Sequence, residues 1–130
     1  LVPQNVRTPR IRAEKTLVKQ ILMNLIGNAT KHINEGGHIK VNVDWQMGSD
    51  LNVSVIDDGP GIDPDKLDNL LHSNSRDAYS TSKTGFGLGL YLTNRSAEAI
   101  GARISIDSVP GRGTIATMTF PAAMLDMSTL

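Results

Sequence analysis

The chain has no cysteine, no excess of either charge and no long apolar run. Without cysteine among its 130 residues, it can form neither a disulfide nor a thiolate metal site, and a reducing compartment is expected. Thirteen Lys and Arg residues balance thirteen Asp and Glu residues, which removes the net positive charge on which nucleic-acid binding depends. No segment reaches the roughly 20 apolar residues of a membrane-spanning helix. These absences exclude a disulfide scaffold and argue against nucleic acid or membrane as a partner.

The length is that of one domain with a single hydrophobic core. We therefore expect residues 1–130 to form one domain, with 122–130 as a tail. Because Leu1 is not a natural start, the chain is expected to be a fragment of a longer protein.

Apolar residues repeat with two different periods along the chain. Helical spacing predicts one helix from Thr16 to Ile33 and another from Leu88 to Ile100. Alternating patterns predict two hairpins, one over residues 39–45 and 51–55, the other over 104–106 and 116–120. The polar stretch 67–84 has no clean period and is predicted to be a mobile loop, with at most a helical turn after Pro64. The sum is an antiparallel-rich sheet with helices on one face.

The first predicted helix carries a polar stripe beside its apolar one. Gln20, Asn24 and Asn28 are four residues apart, and Lys31 follows three later. Amide oxygens and a cation suit a phosphate chain with Mg²⁺, which prefers hard oxygen ligands. Taken alone, the stripe is better explained by a solvated helix face.

Two glycine-containing blocks lie further along the chain. Asp57-Asp58-Gly59-Pro60-Gly61 follows a strand, where a carboxylate can accept from an exocyclic amine and glycines let the backbone approach a flat base. An ordinary acidic turn is the alternative. The block from Gly85 to Leu90 opens a helix, where free backbone amides favour an anion.

The three blocks, Asn24 to His32, Asp57 to Asp63 and Gly85 to Leu90, resemble in order and spacing the N, G1 and G2 boxes of the sensor histidine kinase ATP-binding domain. That domain is part of the wider family of gyrase, Hsp90, histidine kinase and MutL ATPases. The resemblance runs from about Ile11 to Pro121. It implies an α+β fold, a two-layer α/β sandwich of the Bergerat type whose mixed, mostly antiparallel sheet has helices on one face and a mobile ATP lid.

The resemblance also implies a role for each matching position. Asn28 would ligate Mg²⁺, Asn24 and Lys31 would contact phosphates, and His32, where the family usually has an aromatic, would pack against ribose or base. The adenine amine would donate to Asp57. The remaining nucleotide-binding positions are the base-adjacent Gly59, Gly61 and Ile62, the phosphate-binding Gly85, Phe86, Gly87, Leu88, Gly89 and Leu90, and the lid cations Arg76 and Lys83.

Two departures from the family pattern affect the expected activity. Leu71 and Asn74 occupy the positions of two lid phenylalanines, so both aromatics are missing, and Arg76 and Lys83 are equally well interpreted as solvated loop charges. In the gyrase, Hsp90 and MutL branches a Glu lies four residues before the metal-binding Asn. Here that residue is Asn24, which cannot accept a proton near neutral pH.

The sequence is therefore interpreted as a domain that binds Mg-ATP and presents its γ-phosphate to a histidine. That histidine would lie on a separate dimerisation and phosphoacceptor domain of a cytoplasmic two-component kinase, which would then serve a response regulator. His32, His38 and His72 are interpreted as incidental, and no catalytic residue is assigned. A degenerate, non-catalytic nucleotide- or partner-binding module is the alternative, and a gyrase-like or MutL-like ATPase is the third.

Overall fold

A four-stranded antiparallel sheet forms the centre of the fold. The computed structural model describes residues 9–33, 36–72 and 87–126. Within these ranges the strands are β1 (Arg10–Ile11), β2 (Ile39–Asp44), β3 (Leu51–Asp57), β4 (Arg103–Val109), β5 (Gly113–Phe120) and β6 (Leu125–Asp126). The order in the main sheet is β2-β3-β5-β4, and β1 pairs separately with β6. Both predicted hairpins are present, and β3 pairs with β5 between them.

In the described ranges, three helices cover one face of this sheet. They are α1 (Lys15–His32), α2 (Pro64–His72) and α3 (Gly87–Ala99). α1 begins where the Glu14 carboxylate accepts hydrogen bonds from the backbone N–H groups of Thr16 and Leu17, which satisfies two otherwise unpaired donors. α3 ends at Ala99 and is followed by Gly101, whose φ of 90° favours glycine. None of the helices in the described ranges could cross a membrane.

The hydrophobic core lies between the helices and the sheet. Its most completely buried large side chains are Phe120, Ile21, Leu25, Leu90, Met118 and Val55. In β3 every second residue is buried, so that Leu51, Val53, Val55 and finally Asp57 share the core face. The alternation therefore places a carboxylate at the end of an apolar row.

Two sequence predictions need correction. The stretch 67–84 is not a loop throughout, because α2 extends to His72 and buries Leu70 and Leu71. This helix is short, and its apolar residues span too few turns to display a period. Its carbonyl at Leu71, near the helix end, accepts a hydrogen bond from the buried Asn94 side chain at 3.0 Å. The lid residues 73–86 lie outside the described residues.

The second correction concerns the chain end. Residues 122–130 were expected to form a tail, but Ala122–Met124 form a 3₁₀ turn and β6 pairs with β1. The Arg12 N–H donates to the Met124 carbonyl at 2.7 Å, and the Ala122 N–H donates to the Asp50 carboxylate at 2.9 Å. These hydrogen bonds attach the segment up to Asp126 to the domain.

Candidate functional site

A pocket lies between the helices and the sheet where β3 ends. Counting the space open to solvent, it measures about 290 Å³, and its walls are Leu25, Asn28, Ala29, Val55, Asp57, Leu90, Ile106, Thr114 and Ala116. Asn28, Asp57 and Leu90 come from the three separate blocks of the sequence. Folding therefore brings one residue of each block to a single, largely apolar cavity with a few polar groups, which is typical of a small-molecule site.

Asp57 supplies the carboxylate of this pocket. Its residue surface is 8% exposed, and its Oδ1 accepts a hydrogen bond from the Gly59 N–H at 2.9 Å. Among the described residues, Oδ2 has no hydrogen-bond partner. This oxygen can therefore accept a hydrogen bond from a ligand.

The loop after Asp57 is attached to neighbouring elements by backbone hydrogen bonds. Asp58 accepts from the His38 N–H at 2.8 Å, and its other oxygen lies 3.0 Å from the His38 ring. The His38 N–H and then its ring hold the pKa of the Asp58 carboxyl below its usual value. The Gly111 N–H donates to the Pro60 carbonyl at 2.7 Å. The loop is thus held from both sides.

Gly61 is required by the β4–β5 turn. Its φ is 77°, and a Cβ on it would overlap the backbone carbonyl of Val109. The space left by the missing side chain of Gly61 is therefore filled by the backbone of the β4–β5 hairpin. Ile62, which follows, is buried in the core.

The polar stripe of α1 divides between two hollows. Asn28 is half-buried in the pocket wall, whereas Asn24 lines a second hollow of about 550 Å³ between α1 and α3, together with Gln20, Gly89, Leu92 and Thr93 among others. The Asn24 amide donates to the Thr93 hydroxyl at 3.5 Å, and that hydroxyl donates to the Gly89 carbonyl at 2.8 Å. Lys31 is exposed one turn beyond Asn28.

α3 separates the two hollows at its first turn. Leu90 faces the pocket and Gly89 faces the second hollow. Gly87 is the first residue of this helix, whose unpaired N–H groups favour an anion. Arg76, Lys83, Gly85 and Phe86 lie outside the described residues, as do the side chains of His32 and Leu88.

A metal at this site would depend on oxygen from Asn28 and from the ligand itself. In the described part of the chain, no three His, Cys, Asp or Glu side chains are grouped so as to hold a metal ion. Asn28 lines the pocket. Its amide oxygen is a suitable type of Mg²⁺ ligand, because Mg²⁺ is usually held by one or two protein oxygens, phosphates and water. The residues present therefore fit a metal that arrives with a phosphorylated ligand.

Thr114 and Ser108 are site residues that the sequence analysis missed. Thr114 is the strand partner of Asp57, it is buried, and its hydroxyl lies 2.9 Å from that of Ser108. A threonine after a turn glycine is common and carries no signal by itself. Only the pairing of β3 with β5 reveals that it lies beside Asp57.

Comparison with known proteins gives a consistent picture. A family described as histidine kinase-, DNA gyrase B- and HSP90-like ATPase matches residues 13–124. The adaptive-response sensory kinase SasA of Crocosphaera subtropica is 37% identical over 120 residues, which is 92% of this chain and 31% of that protein. SasA of Parasynechococcus marenigrum is 35% identical over 87% of this chain and 30% of its own length. The chain thus spans less than a third of these curated relatives.

Solved structures show the same fold. The catalytic domain of the histidine kinase ThkA superposes with a TM-score of 0.69 at 28% identity, covering 85% of this chain and 69% of that one. Full-length ShkA in complex with AMPPNP superposes with a TM-score of 0.74 at 27% identity, covering 94% of this chain and 24% of that one. The two-layer sandwich described above is the fold they share.

Proposed function

This chain belongs to the histidine kinase-, DNA gyrase B- and HSP90-like ATPase family, and from that premise we propose that it binds Mg-ATP and presents the γ-phosphate to a histidine of another domain. The acceptor would be the dimerisation and phosphoacceptor domain of a two-component kinase in the cytoplasm. Through that domain the phosphoryl group would reach a response regulator. The chain would then be the catalytic domain of an ATP:protein-histidine phosphotransferase.

The observation that carries this proposal is the meeting of Asn28, Asp57 and Leu90 at one pocket. Asp57 offers a carboxylate oxygen at the apolar end, where an adenine amine could donate to it. Asn28 lies on α1, on the same helix as the exposed Lys31, and α3 begins nearby with free N–H groups. In this proposal the base would bind beside Asp57, and the phosphates would bind on the side of α1 and the start of α3.

Asn24 favours phosphate presentation over hydrolysis. An amide cannot take a proton from water or a hydroxyl near neutral pH, and the Asn24 amide is already directed towards Thr93. The chain's part in catalysis would be to bind, orient and neutralise the triphosphate, which accounts for most of the catalysis of phosphoryl transfer. When bound, Mg²⁺ would neutralise phosphate charge at Asn28.

The alternative, a degenerate nucleotide- or partner-binding module, depends on the missing lid aromatics. Leu71 occupies one of these positions, and its side chain is buried in the core. It is therefore not available to a ligand. Asn74, at the other position, lies outside the described residues. A partner-binding module would not need to bind nucleotide, whereas a degenerate nucleotide-binding module would differ from the proposed function only in whether phosphate reaches a histidine.

Calorimetric titration with ATP, with and without Mg²⁺, tests the proposal. We expect Asn28→Ala to weaken binding by roughly tenfold in Mg²⁺, as a lost interaction with a charged group would, and to change it little in EDTA. Asn42→Ala, on the exposed strand β2, is the matched control. Binding that is absent in both conditions would contradict the proposed function.

A further inference from the structure

Strand β2 lies at one edge of the main sheet, and the helix-facing side of this strand is open to solvent. Val41 is the register partner of Val55, and Val43 is that of Val53. Directly opposite residues share a face of the sheet. Val53 and Val55 are buried in the core, whereas Val41 and Val43 are 50% and 61% exposed. The apolar side of the sheet thus continues onto an exposed edge strand.

The backbone of β2 also offers hydrogen-bonding groups at this edge. The Asp58 N–H donates to the His38 carbonyl at 3.3 Å, where the register of β2 with β3 continues by one more pair. Hydrogen-bonded and non-hydrogen-bonded pairs alternate along an antiparallel ladder, so residues 40, 42 and 44 also bond to β3. The N–H and C=O groups of residues 39, 41 and 43 therefore point away from the sheet. A further strand can pair with them.

Two opposite charges lie on the other face of β2. Lys40 is the register partner of Ile56, Asp44 is that of Asn52, and both charged residues are exposed. Neither side chain forms an ion pair with another described residue. Four residues of strand separate them by about 13 Å, which is too far for the two to pair within one chain. Exposed charges of this kind normally protect an edge strand from pairing with another chain.

A second copy of the chain satisfies all of these groups at one register. When a two-fold axis passes through Asn42, Lys40 of each copy lies opposite Asp44 of the other. Val41 then lies opposite Val43, and each such pair can exchange two backbone hydrogen bonds, because both residues direct these groups outward. The valines of both copies share the helix-facing side. A shift by two residues in either direction preserves the faces but separates Lys40 from Asp44.

We propose that the β2 edge is an interface between two copies of this chain, whose sheets join antiparallel with Lys40 opposite Asp44. The inference does not depend on the proposed function, because the pocket walls identified above include no residue of β2. One strand edge from each copy buries less surface than a standard interface, so we expect a dissociation constant on the order of 0.1 to 1 mM. Measurements in dilute solution therefore concern the monomer.

Charge reversal followed by sedimentation equilibrium tests both the partner and the register. Lys40→Asp places acidic groups opposite each other across the axis, and Asp44→Lys does the same with basic groups. The dissociation constant of each variant alone should rise by roughly tenfold. An equimolar mixture of the two variants should associate as the parent does, because each reversed charge then meets its opposite. The double variant Lys40→Asp/Asp44→Lys should also associate by itself.

Two control variants change the net charge equally at exposed positions elsewhere, Lys66→Asp on α2 and Asp107→Lys on the opposite edge strand β4. Both should associate like the parent. Loss of association in Asp107→Lys would place the interface at β4 and overturn the inference, as would single reversals at β2 that associate like the parent or a mixture of them that stays monomeric. A parent chain that is monomeric at about 1 mM would also overturn it and would leave this edge to residues 1–8 or to a different protein.

Discussion

Asp57 and Asp58 are adjacent carboxylates with different surroundings. Asp57 is nearly buried at the end of an apolar row and has one backbone donor, from Gly59. Asp58 is paired with both the backbone and the ring of His38. The first is thus available to a ligand, whereas the second connects the loop to the start of β2.

Asp57→Asn should weaken ATP and ADP equally, because the base contact is common to both. Losing a charge-assisted hydrogen bond costs about 1.5 to 3 kcal/mol of binding free energy. Asp44→Asn is the control, since Asp44 is exposed and has no side-chain partner among the described residues. Calorimetry should also show weak GTP binding to the parent chain, and equal affinities for ATP and GTP would refute the adenine assignment.

The stability of the domain should depend on pH through the ionisation of the Asp58 carboxyl. Its pKa is lowered from the usual 3.8 by the His38 N–H and ring, so folding favours the ionised form. That contribution is fully present above about pH 4 and is lost as the pH falls through the lowered folded pKa. Urea unfolding should show Asp58→Asn less stable than the parent at pH 6, with the difference shrinking below pH 4.

Asp44→Asn again provides the comparison, since it removes an exposed carboxylate without such a partner. A difference between Asp58→Asn and the parent that stays constant from pH 6 to pH 3 would contradict the linkage to His38. Because 49% of the Asp58 side-chain surface is exposed, solvent screening keeps its effect small.

At the scale of elements, the loop after β3 and the β4–β5 hairpin form one packed unit. Gly61 contacts the backbone of Val109, Gly111 donates to Pro60, and Ile62 donates to Ser108. A change in either element is therefore transmitted to the other. Asp57 and Thr114, which line the pocket, each belong to one of them.

Gly61→Ala should destabilise the domain by about 3 kcal/mol, because it combines a positive φ with overlap against Val109. Gly48→Ala provides a control for the φ alone. Gly48 has a φ of 85° and no neighbour within 4 Å of an added Cβ, so we expect a cost of about 1 kcal/mol. If urea unfolding shows that Gly61→Ala and Gly48→Ala lose the same free energy of unfolding, overlap with Val109 adds no cost at Gly61.

For the whole molecule, the prediction concerns what the chain does by itself. Asn24 cannot act as a base, so the isolated chain should not release phosphate steadily from ATP. With the proposed dimerisation and phosphoacceptor domain added, a phosphohistidine should form on that domain, labile in acid and stable in base. Steady phosphate release that Asn28→Ala abolishes would instead favour an ATPase.

The sequence by itself determined the elements that have a clear period. The spacing of Ile21, Leu25 and Ala29 predicted α1, and alternation predicted both hairpins, with Asp57 directly after a strand. These signals are local, because a residue's face follows from its offset within its own helix or strand. The order of the blocks was also sufficient to indicate the family.

Only the tertiary structure decided which residues of distant segments meet. The pairing of β3 with β5 places Thr114 beside Asp57, and the hairpin turn gives Gly61 its close contact with Val109. Leu70 and Leu71 become core residues because α3 packs on α2. Contacts of this kind depend on register and packing between segments, and no periodicity within one segment encodes them.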